Sequence, residues 1–264
     1  PVQPARFQVD TIAGSKNKGD SAFFMPTGVA VDPTSGRIYV ADAGRHTIHA
    51  IEPDIDRDGG RTVTLVAGGP GAGFRDGKGP DARFQHPHGV AVLEDGSVAV
   101  TDTENHAVRI IDAEGVVSTV VLPEAGLHRP AGLVAVPGGD VLVADTLNHR
   151  VIRLQAPTGA IRAGVERVRL STVAQAQRWQ PFVGASFGMP TSIAVLPSGN
   201  YIVSASATNR LWEVTAGGAV TKVVGDGPGL MMDVWRHYAD GPGAHAKFWN
   251  PAGVAVDGRG RVIV

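Results

Sequence analysis

Cysteine is absent from this chain of 264 residues, which excludes a disulfide framework and any thiolate metal centre. Charge of one sign is absent as well. Twenty-four Lys and Arg against 25 Asp and Glu leave a net charge of −1, so no global field draws the protein to polyanions or to an acidic membrane surface. Aromatic residues make up only 6% of the chain, and no apolar run is long enough to span a bilayer. Amphipathic helical periodicity is missing throughout. What remains is a 43% hydrophobic chain punctuated evenly by 35 Gly and 18 Pro, a composition suited to many short strands joined by tight turns.

The strands announce themselves by repetition. "FFMPTGVAVDPTSGRIYVADAGRHTIHAIE", "FQHPHGVAVLEDGSVAVTDTENHAVRIID", "LHRPAGLVAVPGGDVLVADTLNHRVIRLQ", "FGMPTSIAVLPSGNYIVSASATNRLWEV" and "FWNPAGVAVDGRGRVIV" share one grammar, anchored on Pro26, Pro87, Pro130, Pro190 and Pro251. The period is about forty residues with a short connection and about sixty with a long one. Each anchor follows an Ala-x-Phe or Ala-x-Leu pair, read here as Ala22/Phe24, Ala82/Phe84, Ala125/Leu127, Ala185/Phe187 and Ala246/Phe248.

Within a unit, a short apolar run such as "GVAV" predicts an inner strand a buried on both faces, followed by a glycine turn. Strand b is "SVAVTD" and its equivalents, strand c the alternating "HAVRII", and strand d "VTLVAG" or "VSTVVL". Four antiparallel strands per repeat, with no helix, predict an all-β propeller. Five a, five b, five d and four c strands are expected, about five blades with the C-terminal one incomplete. Residues 1–264 are therefore expected to form a single propeller domain that is a segment of a longer protein.

The run Phe-x-x-Pro-x-Gly-Val-Ala-Val, then Val-Ala-Asp-Thr-x-Asn-His-Arg-Val at 143–151, then Val-x-Thr-x-Ala-Gly, resembles the NHL repeat across essentially the whole chain. The resemblance implies a six-bladed ring. Two units depart from it: the first reads Gly44-Arg45-His46, and the fourth has Ala205 and Thr208-Asn209. In the b–c turn, Asp42, Asp102 or Asp145 is placed to accept backbone N–H bonds, Asn105 or Asn148 to take the left-handed conformation, and the next His to bond across to a neighbouring strand. A cluster that recurs in every blade predicts a shape-giving role, since a catalytic constellation occurs once.

Three other motifs bear on chemistry. "GASFG" at 184–188 matches the hydrolase nucleophile pattern, but Ser186 lacks the strand–turn–helix context that exposes such a hydroxyl. In a propeller lyase that resembles NHL proteins, the residue after the anchor proline faces the central opening, and several blades together hold a metal. The equivalent positions here are Thr27, His88, Ala131, Thr191 and Ala252, so one ligand stands where zinc needs three, and Thr27, His88 and Thr191 are expected to line the channel. "DIDRDGG" at 54–60 places Asp54, Asp56 and Asp58 before Gly59, the start of a calcium loop, with Leu65 at the twelfth place where an EF-hand has Glu. It is either a hairpin-loop calcium site or a solvated acidic loop. If calcium binds, millimolar calcium raises the melting temperature and Asp56→Ala abolishes the shift; an unchanged curve removes the site.

A protein-interaction or scaffold propeller without catalysis is the function the sequence favours. The alternatives are a propeller hydrolase or lyase using the central channel, and single-stranded RNA binding. Nucleic acid fits poorly because Arg75, Lys78, Arg83, Arg150 and Lys247 are interleaved with Asp76, Asp81, Glu104 and Asp240. The expected partner surface is the long connection at 225–243, where Met231, Met232, Trp235, His237 and Tyr238 combine adaptable and hot-spot side chains.

Overall fold

The computed structural model describes residues 23–55, 61–121, 125–155, 169–175, 188–225 and 239–264. Asp56, Asp58, Ser186, Met231, Met232, Trp235, His237 and Tyr238 lie outside them. The first sheet runs β1 (Pro26–Val31), β2 (Ile38–Asp42), β3 (Thr47–Ile55) and β4 (Arg61–Ala67) in sequence order. The second carries a short extra strand, β5 (Gly77–Lys78), on the outside of β6 (Pro87–Val92), β7 (Val98–Asp102), β8 (Ala107–Ile111) and β9 (Val116–Val121). The third contains β10 (Pro130–Ala135), β11 (Val141–Asp145), β12 (Arg150–Gln155) and β13 (Arg169–Gln175). The fourth contains β14 (Pro190–Val195), β15 (Tyr201–Ala205), β16 (Arg210–Val214) and β17 (Val220–Val224). A two-stranded sheet, β18 (Ala255–Val256) and β19 (Val262–Ile263), follows.

All neighbouring strands within these sheets are antiparallel, and the sheets stand side by side in a ring with the a strands innermost: β1 against β6, β6 against β10, β10 against β14, and β14 against β18. Alternating strand residues make this possible, because each blade offers one apolar face forward and one backward. Tyr39, Ala41 and Ile48 of the first blade pack on Val90, Val98 and Val100 of the second. Ala91, Ala99 and Ile110 of the second meet Leu133, Val141 and Val143 of the third. Leu142, Ala144 and Val151 of the third then meet Ile193, Val203 and Trp212 of the fourth. The core is thus a series of layers between blades.

The first four a strands open with a register shift just after the proline, between Pro26 and Gly28, Pro87 and Val90, Pro130 and Leu133, and Pro190 and Ser192. The shift turns Thr27, His88 and Thr191 toward the axis. Inner strands then approach so closely that a Cβ on Gly28 would lie 2.1 Å from the His88 carbonyl oxygen, and one on Gly132 2.6 Å from that of Thr191.

Two sequence expectations require correction. The residue at the Phe84 position of the first unit is Phe23, which packs edge-on against His49, whereas Phe24 is 74% exposed with its ring over Gly44. That contact accounts for glycine at position 44, where any Cβ would lie 2.3 Å from the Phe24 ring. The a strands are also not uniformly buried: β6 has no exposed residue, but Val29 and Val31 of β1 are 67% and 58% exposed.

Candidate functional site

At the end of each b strand in the first three blades a carboxylate is sealed from solvent. Asp42, Asp102 and Asp145 are fully buried, and each accepts from the chain entering strand a of its own blade: Phe24 N at 2.7 Å and Met25 N at 2.9 Å, Gln85 N at 2.7 Å, and His128 N at 2.8 Å. Asn105 and Asn148 sit inside short 3-10 turns, Thr103–Asn105 and Thr146–Asn148, and donate their amides to Asp102 at 2.9 Å and Asp145 at 2.8 Å. The left-handed residue is therefore not the Asn but the one after it: His46, His106, His149 and Asn209 have φ of 61, 54, 53 and 53°. The turn needs the Asn side chain inward on the Asp, so the change of hand falls one residue later.

That displacement carries the histidine across to the next blade. His46 Nδ1 accepts from His86 N at 3.1 Å, His106 Nδ1 from Arg129 N at 3.0 Å, and His149 Nδ1 from Met189 N at 3.1 Å. In the fourth blade Asn209 Oδ1 accepts from Asn250 N at 2.8 Å in the same way. The four donors are themselves left-handed, with φ of 49, 50, 52 and 49°. Two strained residues are thus held face to face at four successive blade junctions, and the expectation that the His bonds across to a neighbour describes this latch.

The second blade adds a buried cation. Arg109, at 0% exposure, donates to Asp102 Oδ2 at 2.7 Å, to Asp76 Oδ1 at 2.6 Å, and to the carbonyls of Arg75 and Arg83 at 2.9 and 3.1 Å, between the Phe74 and Phe84 rings. Asp76 in turn takes Thr119 N at 3.1 Å and Thr119 Oγ1 at 2.8 Å, which fastens the β4–β6 connection to β9. Burial pushes the Asp102 carboxyl up, opposed by the bonds from Asn105 and Gln85 N and by Arg109. Sequence reading missed Arg109; the signal was an arginine in the otherwise apolar "AVRII".

Along the axis lies a cavity of about 530 Å³ lined by Thr27, His88, Thr191 and the inner-strand glycines. Thr27 Oγ1 donates to the Pro87 and His88 carbonyls at 3.2 and 3.1 Å, and Thr191 Oγ1 to the Pro251 carbonyl at 3.1 Å. Their hydroxyls therefore tie neighbouring blades together. The His88 ring makes no hydrogen bond among the described residues, and burial pushes its imidazole down, so a neutral ring faces the cavity. Among the described residues no group of three metal-type ligands converges, and Asp54 stands exposed at the end of β3.

Bladed four-stranded sheets around a narrow axis, joined by repeated polar turns, define a β-propeller. The NHL repeat model matches residues 23–51, 84–111 and 127–154, the a to c strands of the first three blades. "NHL repeat-containing protein 2" of Gallus gallus is 36% identical over 101 residues, 38% of this chain and 13% of the relative's own length. Solved structures share the fold at 16% identity: virginiamycin B lyase from Staphylococcus aureus with a TM-score of 0.55 over 90% of this chain and 62% of that one, and a chain of the nidogen/laminin complex with 0.59 over 88% and 69%.

Proposed function

We propose that the propeller is a non-catalytic protein-interaction module whose binding face is formed by the b–c turns and the d–a connections. The observation that supports this reading is the division of labour on that face. The buried Asp and half-buried Asn and His groups there are bonded to one another and to the backbone, while Phe24, Phe74 and Trp249 are 74%, 44% and 55% exposed. Exposed aromatics on a rigid frame supply contact area at low entropic cost. The 225–243 connection follows β17 in sequence, and its Met231, Met232, Trp235, His237 and Tyr238 are assigned to partner binding on their chemistry alone. Trp235→Ala combined with Tyr238→Ala is expected to leave the melting temperature nearly unchanged and to weaken partner capture. A destabilised fold with intact capture would rule out the assignment.

The second reading is catalysis through the channel, favoured by one observation, the unbonded neutral His88 ring in the cavity. The structural likeness to a lyase is a likeness of fold. On the interaction reading, His88→Ala leaves any lyase or hydrolase activity of the purified protein unaltered; a large loss would support the enzyme instead.

A further inference from the structure

We infer that the blade junctions on the binding face form a pH-operated set of latches, three of which open on acidification while the fourth stays closed. The geometry that carries this is the acceptor atom. An imidazole Nδ1 accepts an N–H only when the ring is neutral and its proton is on Nε2; in the imidazolium both nitrogens are donors, and N–H would point at N–H. His46, His106 and His149 all use Nδ1 to hold the backbone N–H of His86, Arg129 and Met189 across a junction. Asn209 holds Asn250 N with an amide oxygen that does not titrate in this range. One chain therefore contains three titratable copies of a latch and a built-in control.

At His46 and His149 the surroundings reinforce the neutral state. Burial holds His46 below its ordinary value, the His86 ring 4.7 Å away pushes the same way, and Asp42 opposes them; Arg45 lies in the same turn. Burial also lowers His149, whose own turn contains the Asp145–Arg150 ion pair and whose partner Met189 is apolar. Around His106 stand the His128 ring at 5.3 Å and the Glu104–Arg129 ion pair. For His46 and His149 the unfolded chain takes up a proton before the folded one does. Their stabilisation is complete above the unfolded value of about 6.5 and is lost as pH falls from there through the lower folded value.

Opening does not dissolve the ring. The apolar layers between blades and the hydroxyl-to-carbonyl ties, Thr103 Oγ1 to Pro130 O at 2.6 Å and Thr146 Oγ1 to Pro190 O at 2.8 Å, contain no histidine or carboxylate. What loosens is the entry to each a strand, where the left-handed residues before Pro87, Pro130 and Pro190 lose their anchor. Acid thus softens the face at three junctions and leaves the scaffold beneath intact, whether or not that face binds a protein.

Amide hydrogen exchange on the whole chain tests this, with rates corrected for the intrinsic pH dependence of exchange. Between pH 7.5 and 5, protection at His86, Arg129 and Met189 is expected to fall about five- to tenfold, as for one net hydrogen bond, while Asn250 keeps its protection. In the variant carrying His46→Asn, His106→Asn and His149→Asn, which copies the Asn209 latch, all four sites should be indifferent to pH. Loss at Asn250 equal to that at the other three, no loss in the wild type, or an unchanged acid response in the triple variant would each overturn the proposal. Should the triple variant fail to fold, His149→Asn alone decides: Met189 must become insensitive while His86 and Arg129 continue to respond.

Discussion

Replacing Arg109 with leucine is expected to destabilise the propeller by about 3–5 kcal/mol, the usual cost of breaking a buried ion pair by removing one partner. Asp102 and Arg109 are both at 0% exposure, and the carboxylate would keep its burial while losing its only charged partner among the described residues. Asp76 and the Arg75 and Arg83 carbonyls would also lose their donor, so the β4–β6 connection that displays Phe74 would come away from β8. The melting temperature should fall by roughly 10 °C. Since burial already pushes the Asp102 carboxyl upward, the pair is a device for specifying geometry more than a source of net stability. Adding Asp102→Asn to Arg109→Leu should therefore recover part of the loss. A drop below about 2 °C for Arg109→Leu, the size of effect a solvent-exposed pair gives, would show that the network is not the anchor of this connection.

Strand order and repeat period were legible because alternation and glycine turns are local signals. Leu93 N to Ser97 O at 2.8 Å and Leu196 N to Asn200 O at 2.8 Å close the predicted a–b hairpins, with Gly96 and Gly199 at φ of 82 and 83°. The turn motif was legible as a unit but not in its assignment of roles. Asn is the usual non-glycine residue in the left-handed region, so propensity points to Asn105 and Asn148. The pull of a buried carboxylate on the Asn amide outweighs that propensity and shifts the strain to His106 and His149. The first repeat misled for a different reason: "FFMP" offers two phenylalanines, and only packing distinguishes Phe23 against His49 from Phe24 over Gly44. The outer strand β5 was invisible, since a two-residue strand held by Asp76 and Thr119 has no periodicity. Contacts between residues far apart in sequence, such as His149 with Met189, leave no local trace.

Gly89→Val is expected to cost about 3 kcal/mol, the upper end of the overpacking range, and to act where the inner strands of the second and third blades approach closely. Unlike the turn glycines, Gly89 does not have a positive φ, so backbone strain is not the reason for it. The reason is proximity. A Cβ there would lie 2.5 Å from the Ala131 carbonyl oxygen and 3.1 Å from both Leu133 N and Thr101 Oγ1, two of which are backbone atoms of the neighbouring inner strand. The Thr101 hydroxyl links the two strands, accepting from Gly89 N at 2.7 Å and donating to Ala131 O at 2.5 Å, so a valine would both part β6 from β10 and break that bridge. The fourth blade supplies the comparison, because Ser192 occupies the same position and its Oγ accepts from Val254 N at 3.2 Å. Ser192→Gly should therefore cost well under about half as much, losing one exchangeable hydrogen bond and creating no clash. Urea unfolding of both variants provides the measurement. If Gly89→Val unfolds within about 1 kcal/mol of the wild type, the inner strands have room to move and the cavity at His88 is adjustable in width. If the loss reaches the expected size while Ser192→Gly stays near neutral, close backbone approach is what fixes the diameter of the channel between the second and third blades.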